Sequence, residues 1–225
     1  MIENKEEGQI LLVDKPYNWT SFDVVKKIRN NSKFKKVGHA GTLDPLATGL
    51  LIICTGKKTK KIDGFMGLEK EYQGRFVLGK STPSVDLETE FDREYPIDHI
   101  TAKGIKKIQI SYLGNQKQSP PEYSAIKVGG KRSYDLARKG EAKPLKPRQV
   151  FIRSLELNLE NFPEIEFKVV CSKGTYIRSL VRDFGIALNC GAYLKELKRT
   201  AIGSYKLEKA SSPEEIVKFL GNEDP

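Results

Sequence analysis

The fourteen residues from Gly38 to Leu51, GHAGTLDPLATGLL, constrain this chain more than any other stretch. They contain one of its two histidines, three glycines, one proline and a single carboxylate, Asp44. Gly41 and Gly49 suit positive φ or close backbone approach. Pro45 fixes its own φ and pushes Asp44 away from helical angles. The run that follows, Leu50-Leu51-Ile52-Ile53-Cys54, reads as a buried strand. A carboxylate held on a rigid loop beside such a strand is a candidate for chemistry. An Asp-Pro pair also simply starts turns, and spacing alone leaves that plainer reading open.

Length allows one domain with a substantial core, or a domain with an appendage, in 225 residues. No apolar run approaches the roughly 20 residues that cross a bilayer. The first residues, Met1-Ile2-Glu3-Asn4-Lys5-Glu6-Glu7, lack the apolar stretch of a signal peptide. Cys54, Cys171 and Cys190 are odd in number, far apart and never in a Cys-x-x-Cys pair. That pattern argues against a disulfide framework or a zinc site and for a reducing cytoplasm. A net charge of +10 suggests a polyanionic partner, most often nucleic acid, although a basic balance can also serve solubility alone.

Along the chain, Ile10–Val13 reads as a short strand ended by Asp14-Lys15-Pro16. Thr20 or Ser21 can cap a helix that carries Phe22, Val25 and Ile28 on its apolar face. Lys15 suits a solvated surface, a phosphate contact or loop packing. Thr55–Lys61 reads as a basic loop, and Lys70–Gly79 alternates as a strand with Tyr72, Gly74, Phe76 and Leu78 on one face. Taken alone, Tyr72 is a core or rim aromatic. A helix over 101–112 is capped by Thr101, with Ile105, Ile108 and Tyr112 inward. From Ser119 the chain becomes one-sidedly basic, through Lys127, Lys131, Arg132, Arg138, Lys139, Lys143, Lys146 and Arg148. Tyr123, Tyr134 and the Gly129-Gly130 pair interleave with these cations, which suits a mobile clamp on a phosphate backbone better than a plain solvated face. Strands are expected at Val150–Ile152 and Ile165–Cys171. A helix with Ile177, Leu180, Val181, Phe184 and Leu188 on one stripe follows, and Arg178 lies off that stripe, as an exposed helix arginine would. Ser212-Pro213-Glu214-Glu215 has capping-box spacing and opens a last helix through Ile216, Phe219 and Leu220.

The Gly38–Leu51 run closely resembles the signature Gly-His-x-Gly-x-Leu-Asp-Pro-x-Ala-x-Gly-x-Leu of the tRNA pseudouridine-55 synthases, the bacterial TruB family. Five further segments resemble that family. Asp14-Lys15-Pro16 and Thr20-Ser21 match its Asp-Lys-Pro-x-Gly-x-Thr-Ser element, with Asn18 and Trp19 in the turn instead of glycine; asparagine tolerates positive φ. Lys70-Glu71-Tyr72 matches its Lys-x-Tyr strand opening. Pro120 to Gly140 is similar to its Pro-x-x-Tyr-Ser-Ala-x-Lys segment and the Tyr and Ala-Arg-x-Gly that follow. Cys171-Ser172-Lys173-Gly174-Thr175-Tyr176-Ile177-Arg178 reproduces its Cys-Ser-x-Gly-Thr-Tyr-Ile-Arg motif. Leu197-Lys198-Arg199-Thr200 is similar to its Leu-Arg-Arg-Thr element, with lysine in place of one arginine. In the Gly79–Asp86 loop only Asp86 keeps an expected acid, because Pro83 stands where the family has aspartate. The resemblance covers residues 9–205.

It implies a mixed α/β pseudouridine synthase fold, a largely antiparallel mixed sheet with flanking helices and a central cleft. It further implies a single catalytic domain over 1–225, a basic insertion at about 120–150 that folds over RNA, and no C-terminal RNA-binding (PUA) domain. The implied reaction is isomerisation of uridine 55 in the tRNA T-loop by base flipping, with C1′–N1 cleavage and C1′–C5 bond formation. Atoms are rearranged and none gained, so no cofactor or metal is expected. The resemblance assigns catalysis to Asp44, Tyr72 and Arg178. It assigns substrate contacts to His39, Tyr176, Leu197, Lys15, Asp86, Lys127 and Arg199, with His39 as a wedge filling the space the flipped base leaves. The partner is the T-arm of tRNA, met by a cytoplasmic monomer without membrane or guide RNA. Basic charge and aromatics would equally suit an RNA-binding module or chaperone without catalysis. A synthase working inside a guide-RNA particle is a further reading.

Overall fold

The computed structural model describes residues 7–142 and 144–221. Strand β1 (Ile10–Lys15) leads to helix α1 (Ser21–Asn30). Thr20 and Asp23 close a reciprocal capping box that fixes where α1 begins. Starting at Ser21, the inward positions at spacings of three and four are Ser21, Val24, Val25 and Ile28. Phe22 therefore points to solvent, which corrects its expected place on the apolar face. Asn18 does adopt positive φ, at 62°, in the turn where glycine is missing. Strand β2 (Val37–His39) and strand β3 (Thr48–Thr55) flank the Asp44 loop. The expected basic loop is instead a 3-10 turn, Gly56–Lys61, running straight into helix α2 (Ile62–Gly67).

Strand β4 (Lys70–Leu78) buries Lys70, Tyr72, Phe76 and Leu78 on one face, as alternation requires. A short pair, β5 (Lys80–Ser81) with β6 (Arg93–Glu94), precedes helix α3 (Ala102–Ser111), capped by Thr101. Strand β7 (Gly114–Gln118) enters the insertion, which holds the hairpin β8 (Lys127–Val128) and β9 (Lys131–Arg132) and helix α4 (Ser133–Arg138). Lys143, in the same insertion, lies outside the described residues. Strands β10 (Arg148–Asn158) and β11 (Glu164–Cys171) follow, the second strictly alternating. Helix α5 (Ile177–Ala187), strand β12 (Ala192–Ile202), strand β13 (Tyr205–Lys206) and helix α6 (Pro213–Gly221) complete the order. Ser212 and Glu215 close the expected capping box of α6. Ile216 is buried and Leu220 packs beside it, but Phe219 is exposed, since it falls between two inward positions four apart.

The chain forms two compact units, one from its residues up to Gln73 and from Leu197 onward, the other from Gly74–Glu196. In the first unit β3 runs between β1, which is antiparallel to it, and β12, which is parallel to it, so the sheet is mixed. Helices α1 and α6 cover Leu11, Val13, Leu51 and Ile53 on one face. Phe65, from α2, and Ile202 pack with Leu50, Ile52 and Cys54 on the other. β3 is thus sealed on both sides, which explains its continuous apolar sequence. In the second unit β4, β11, β10 and β7 stand in that order, with β10 antiparallel to both neighbours. Phe184 of α5 packs on Phe76 and Tyr112 there, at 5.4 and 5.9 Å between ring centres. No helix among the described residues is long and apolar enough to cross a membrane.

Candidate active site

In the first unit the Asp44 loop is held by three side chains, of Ser21, Lys15 and Arg199, whose polar ends are spent on main chain in and around it. Gly41 and Gly49 take φ of 97° and 100°, the left-handed region open to glycine. Ser21 of α1 donates to the carbonyl of Leu43 at 3.3 Å and accepts the Leu43 N–H at 2.9 Å. Lys15, at the end of β1, is fully buried, and its ammonium donates to the carbonyls of Pro16 (3.0 Å), Trp19 and Pro45 (3.2 Å). Burial pushes the Lys15 pKa down to about 8, with the Asp44 carboxylate nearby pulling the other way. Arg199, on β12, is 1% exposed; its Nε donates to Leu50 at 2.7 Å and an Nη to Gly41 at 3.1 Å. Buried cations tied to carbonyls in this way fix the loop on both sides of Asp44.

Lys15 and Arg199 are therefore structural ties whose polar ends face main chain, and this geometry favours the loop-packing reading of Lys15 over the phosphate reading. Asp44 itself is half-buried, as is His39 at the end of β2. Burial, helped by the Arg199 charge, holds the His39 imidazole below its ordinary pKa, so it is neutral at pH 7. Its Nδ1 is buried with no hydrogen-bond partner among the described residues. Tyr72 is 8% exposed on β4 and Leu197 is half-buried on β12.

In the second unit Arg178 is 4% exposed, which corrects the expectation of a solvent-facing helix arginine. Periodicity sorts residues by hydrophobicity and cannot register a guanidinium that is buried because its N–H groups are bonded. One Nη donates to Ser84 at 3.0 Å, the other to Tyr123 at 2.8 Å, and Nε faces an Asp86 carboxylate oxygen at 3.6 Å. Asp86 is itself buried, and its other carboxylate oxygen accepts the Glu88 N–H at 3.0 Å. The acid thus orients Arg178, and its buried place suits that role better than a contact with substrate. Tyr176, two residues earlier, is half-buried with the Arg148 guanidinium 5.7 Å from its ring centre. Lys127 is exposed on β8, beside a shallow hollow lined by Lys131, Arg132, Arg138 and Lys139.

Ser84 takes part in these arrangements without any mark in the sequence, and the Thr20-Ser21 pair does not announce the bonds of Ser21 to Leu43, because the partners are main-chain groups that any residue type supplies. The structure therefore builds two clusters. Lys15, His39, Arg199 and the Asp44 loop belong to the first unit, and Asp86, Tyr176 and Arg178 to the second.

A family model described as TruB family pseudouridylate synthase (N-terminal domain) matches residues 29–177. The chain belongs to the TruB family. A second model, the tRNA pseudouridylate synthase B C-terminal domain, matches residues 178–224, which carries the family likeness beyond residue 205. A tRNA pseudouridine synthase B of Phocaeicola vulgatus is 51% identical, over 98% of this chain and 97% of the relative. One from Parabacteroides distasonis is 52% identical over 95% and 93%. Among solved structures, a chain of a Cbf5-Nop10-Gar1 complex superposes with a TM-score of 0.73 at 26% identity. It covers 95% of this TruB-family chain, which spans about half of that longer one, 54%. The mixed α/β architecture is that of the family.

Proposed function

We propose that this chain isomerises uridine to pseudouridine at position 55 of tRNA, in the T-loop. The observation that carries the reading is the near full-length identity of about half its residues to proteins named tRNA pseudouridine synthase B. The buried ties around Asp44 supply what such chemistry needs, a carboxylate whose direction is set before substrate arrives. The reaction breaks the N1–C1′ bond, turns the base and joins C5 to C1′. Asp44 acts in its ionised form. Arg178 is the catalytic guanidinium, and Asp86 sets its direction. Tyr72 stacks on the extruded uracil and moves a proton late in the reaction. Tyr176 and Leu197 wall the pocket, and neutral His39 fills the gap left in the RNA. Lys127 and its basic neighbours meet the phosphates of the T-arm. The enzyme is proposed to work in the cytoplasm as a monomer in one catalytic domain, without a guide RNA.

The test is incubation of an unmodified tRNA transcript with wild type and with Asp44→Asn. Wild type should form pseudouridine and the variant should lose at least about 10³-fold in rate while keeping its tRNA affinity. Binding of tRNA by the wild type without product would instead make the chain an RNA-binding module.

A further inference from the structure

Gln118 has no part in the functional reading above, yet it is 4% exposed and makes an unusual pair of bonds. Its side-chain amide is bidentate on the backbone of one residue: Oε1 accepts the Tyr176 N–H at 2.8 Å, and Nε2 donates to the Tyr176 carbonyl at 3.1 Å. Tyr176 is the residue that caps the start of α5, where backbone N–H groups lack helical partners, and no side chain of its own supplies that cap. A primary amide matches an extended backbone residue in this way, donor to acceptor and acceptor to donor. Because both bonds land on one residue, they fix its rotation as well as its position.

Gln118 is the last residue of β7, immediately before the basic insertion. Its Cα partner across the ladder is Arg148, the first residue of β10, where the insertion ends. Arg148 is also the residue whose guanidinium covers the Tyr176 ring. Both feet of the insertion therefore hold Tyr176, one by its backbone and one by its ring. The adjoining residues reinforce the attachment. Ser179 and Arg182 of α5 both donate to the Ser119 carbonyl, at 2.8 and 3.0 Å, and Arg178 donates to Tyr123.

We infer that Gln118 is a positioning residue that sets Tyr176 and the first turn of α5 against the root of the RNA-binding insertion. The inference rests on the reading of Tyr176 as part of the nucleotide pocket. It implies that an RNA gripped by the insertion bears, through residues 118–123, on the turn that carries Arg178. A residue that merely fills space at this point would be replaced by methionine with little effect, because volume is nearly kept and only the two bonds are lost.

The experiment compares the full chain with Gln118→Met and Gln118→Glu, using an unmodified tRNA transcript and hydrogen exchange of the protein without RNA. In Gln118→Met the Tyr176 amide should exchange at least about tenfold faster, and kcat should fall at least about tenfold while the Kd for tRNA stays within about threefold. Gln118→Glu keeps the acceptor for the Tyr176 N–H and loses the donor, so it should retain more amide protection than methionine does. If the methionine variant fails to fold, the glutamate variant carries the same comparison of kcat, Kd and exchange at the neighbouring α5 amides. Unchanged exchange at Tyr176, or a loss of rate matched by an equal loss of tRNA affinity, would overturn the inference. A wild type that binds tRNA without forming pseudouridine would remove the enzymatic reading, while the exchange comparison would still decide the clamp.

Discussion

Lys15 carries a formal charge into a fully buried place, and it is tolerated because main-chain carbonyls surround the ammonium. Replacement by methionine keeps most of the volume and removes the donor, leaving the carbonyls of Pro16, Trp19 and Pro45 short of a partner. Relief from burying the charge offsets part of that cost, so Lys15→Met should lower stability by about 2 kcal/mol, read as a shift in urea midpoint. Pseudouridine formation should fall with it, since Pro45 adjoins Asp44. An unchanged midpoint would mean that the ammonium does not hold this loop. The same residue shows what a sequence can reveal at this scale. Asp44 stood out because glycine and proline restrict the backbone in ways visible letter by letter. Lys15, Arg178 and Arg199 carry a charge that suggests solvent, and only their carbonyl partners reveal why they are buried. Gln118 gave no signal, and Ser21 none for its bonds to Leu43, because a bond to main chain leaves no pattern in residue type.

Elements were legible where one face is apolar and the other is not. β4 and β11 alternate as expected, and α3 and α6 begin at the caps that Thr101 and Ser212 announce. The 3-10 turn and α2 were missed, since Gly56–Lys61 is mostly lysine and buries none of its residues. Their helical form follows from Phe65 packing beneath β3, a tertiary demand that overrides local composition. β3 itself depends on close backbone approach. A Cβ built on Gly49 would lie within van der Waals overlap of the Arg199 carbonyl, at 2.4 Å, and φ there is 100°. Gly49→Ala should therefore cost about 3 kcal/mol or more through strain and a displaced β12 register. Thermal unfolding measures it, and a variant as stable as wild type would contradict the parallel pairing of Gly49 with Arg199.

At the scale of the whole molecule, the candidate machinery is divided between the units. The first carries Asp44, Tyr72 and His39, and the second carries Arg178, Tyr176 and the basic insertion. An excess of ten positive charges makes the encounter with tRNA electrostatic. For about five neutralised phosphates, tRNA affinity should fall on the order of 10²-fold between about 50 and 200 mM salt. A binding isotherm insensitive to salt over that range would show that the cations do not meet the backbone. Neutralising Lys127 with its hollow neighbours Lys131 and Arg132 should flatten the slope without changing the position that is modified.

The most direct measurement is a position-resolved map of pseudouridine in an unmodified tRNA transcript after treatment with the pure chain. Conversion of uridine 55 by wild type, and none by Asp44→Asn, is the expected result. A map with no new pseudouridine, or with equal conversion by the variant, would contradict the role given to this carboxylate.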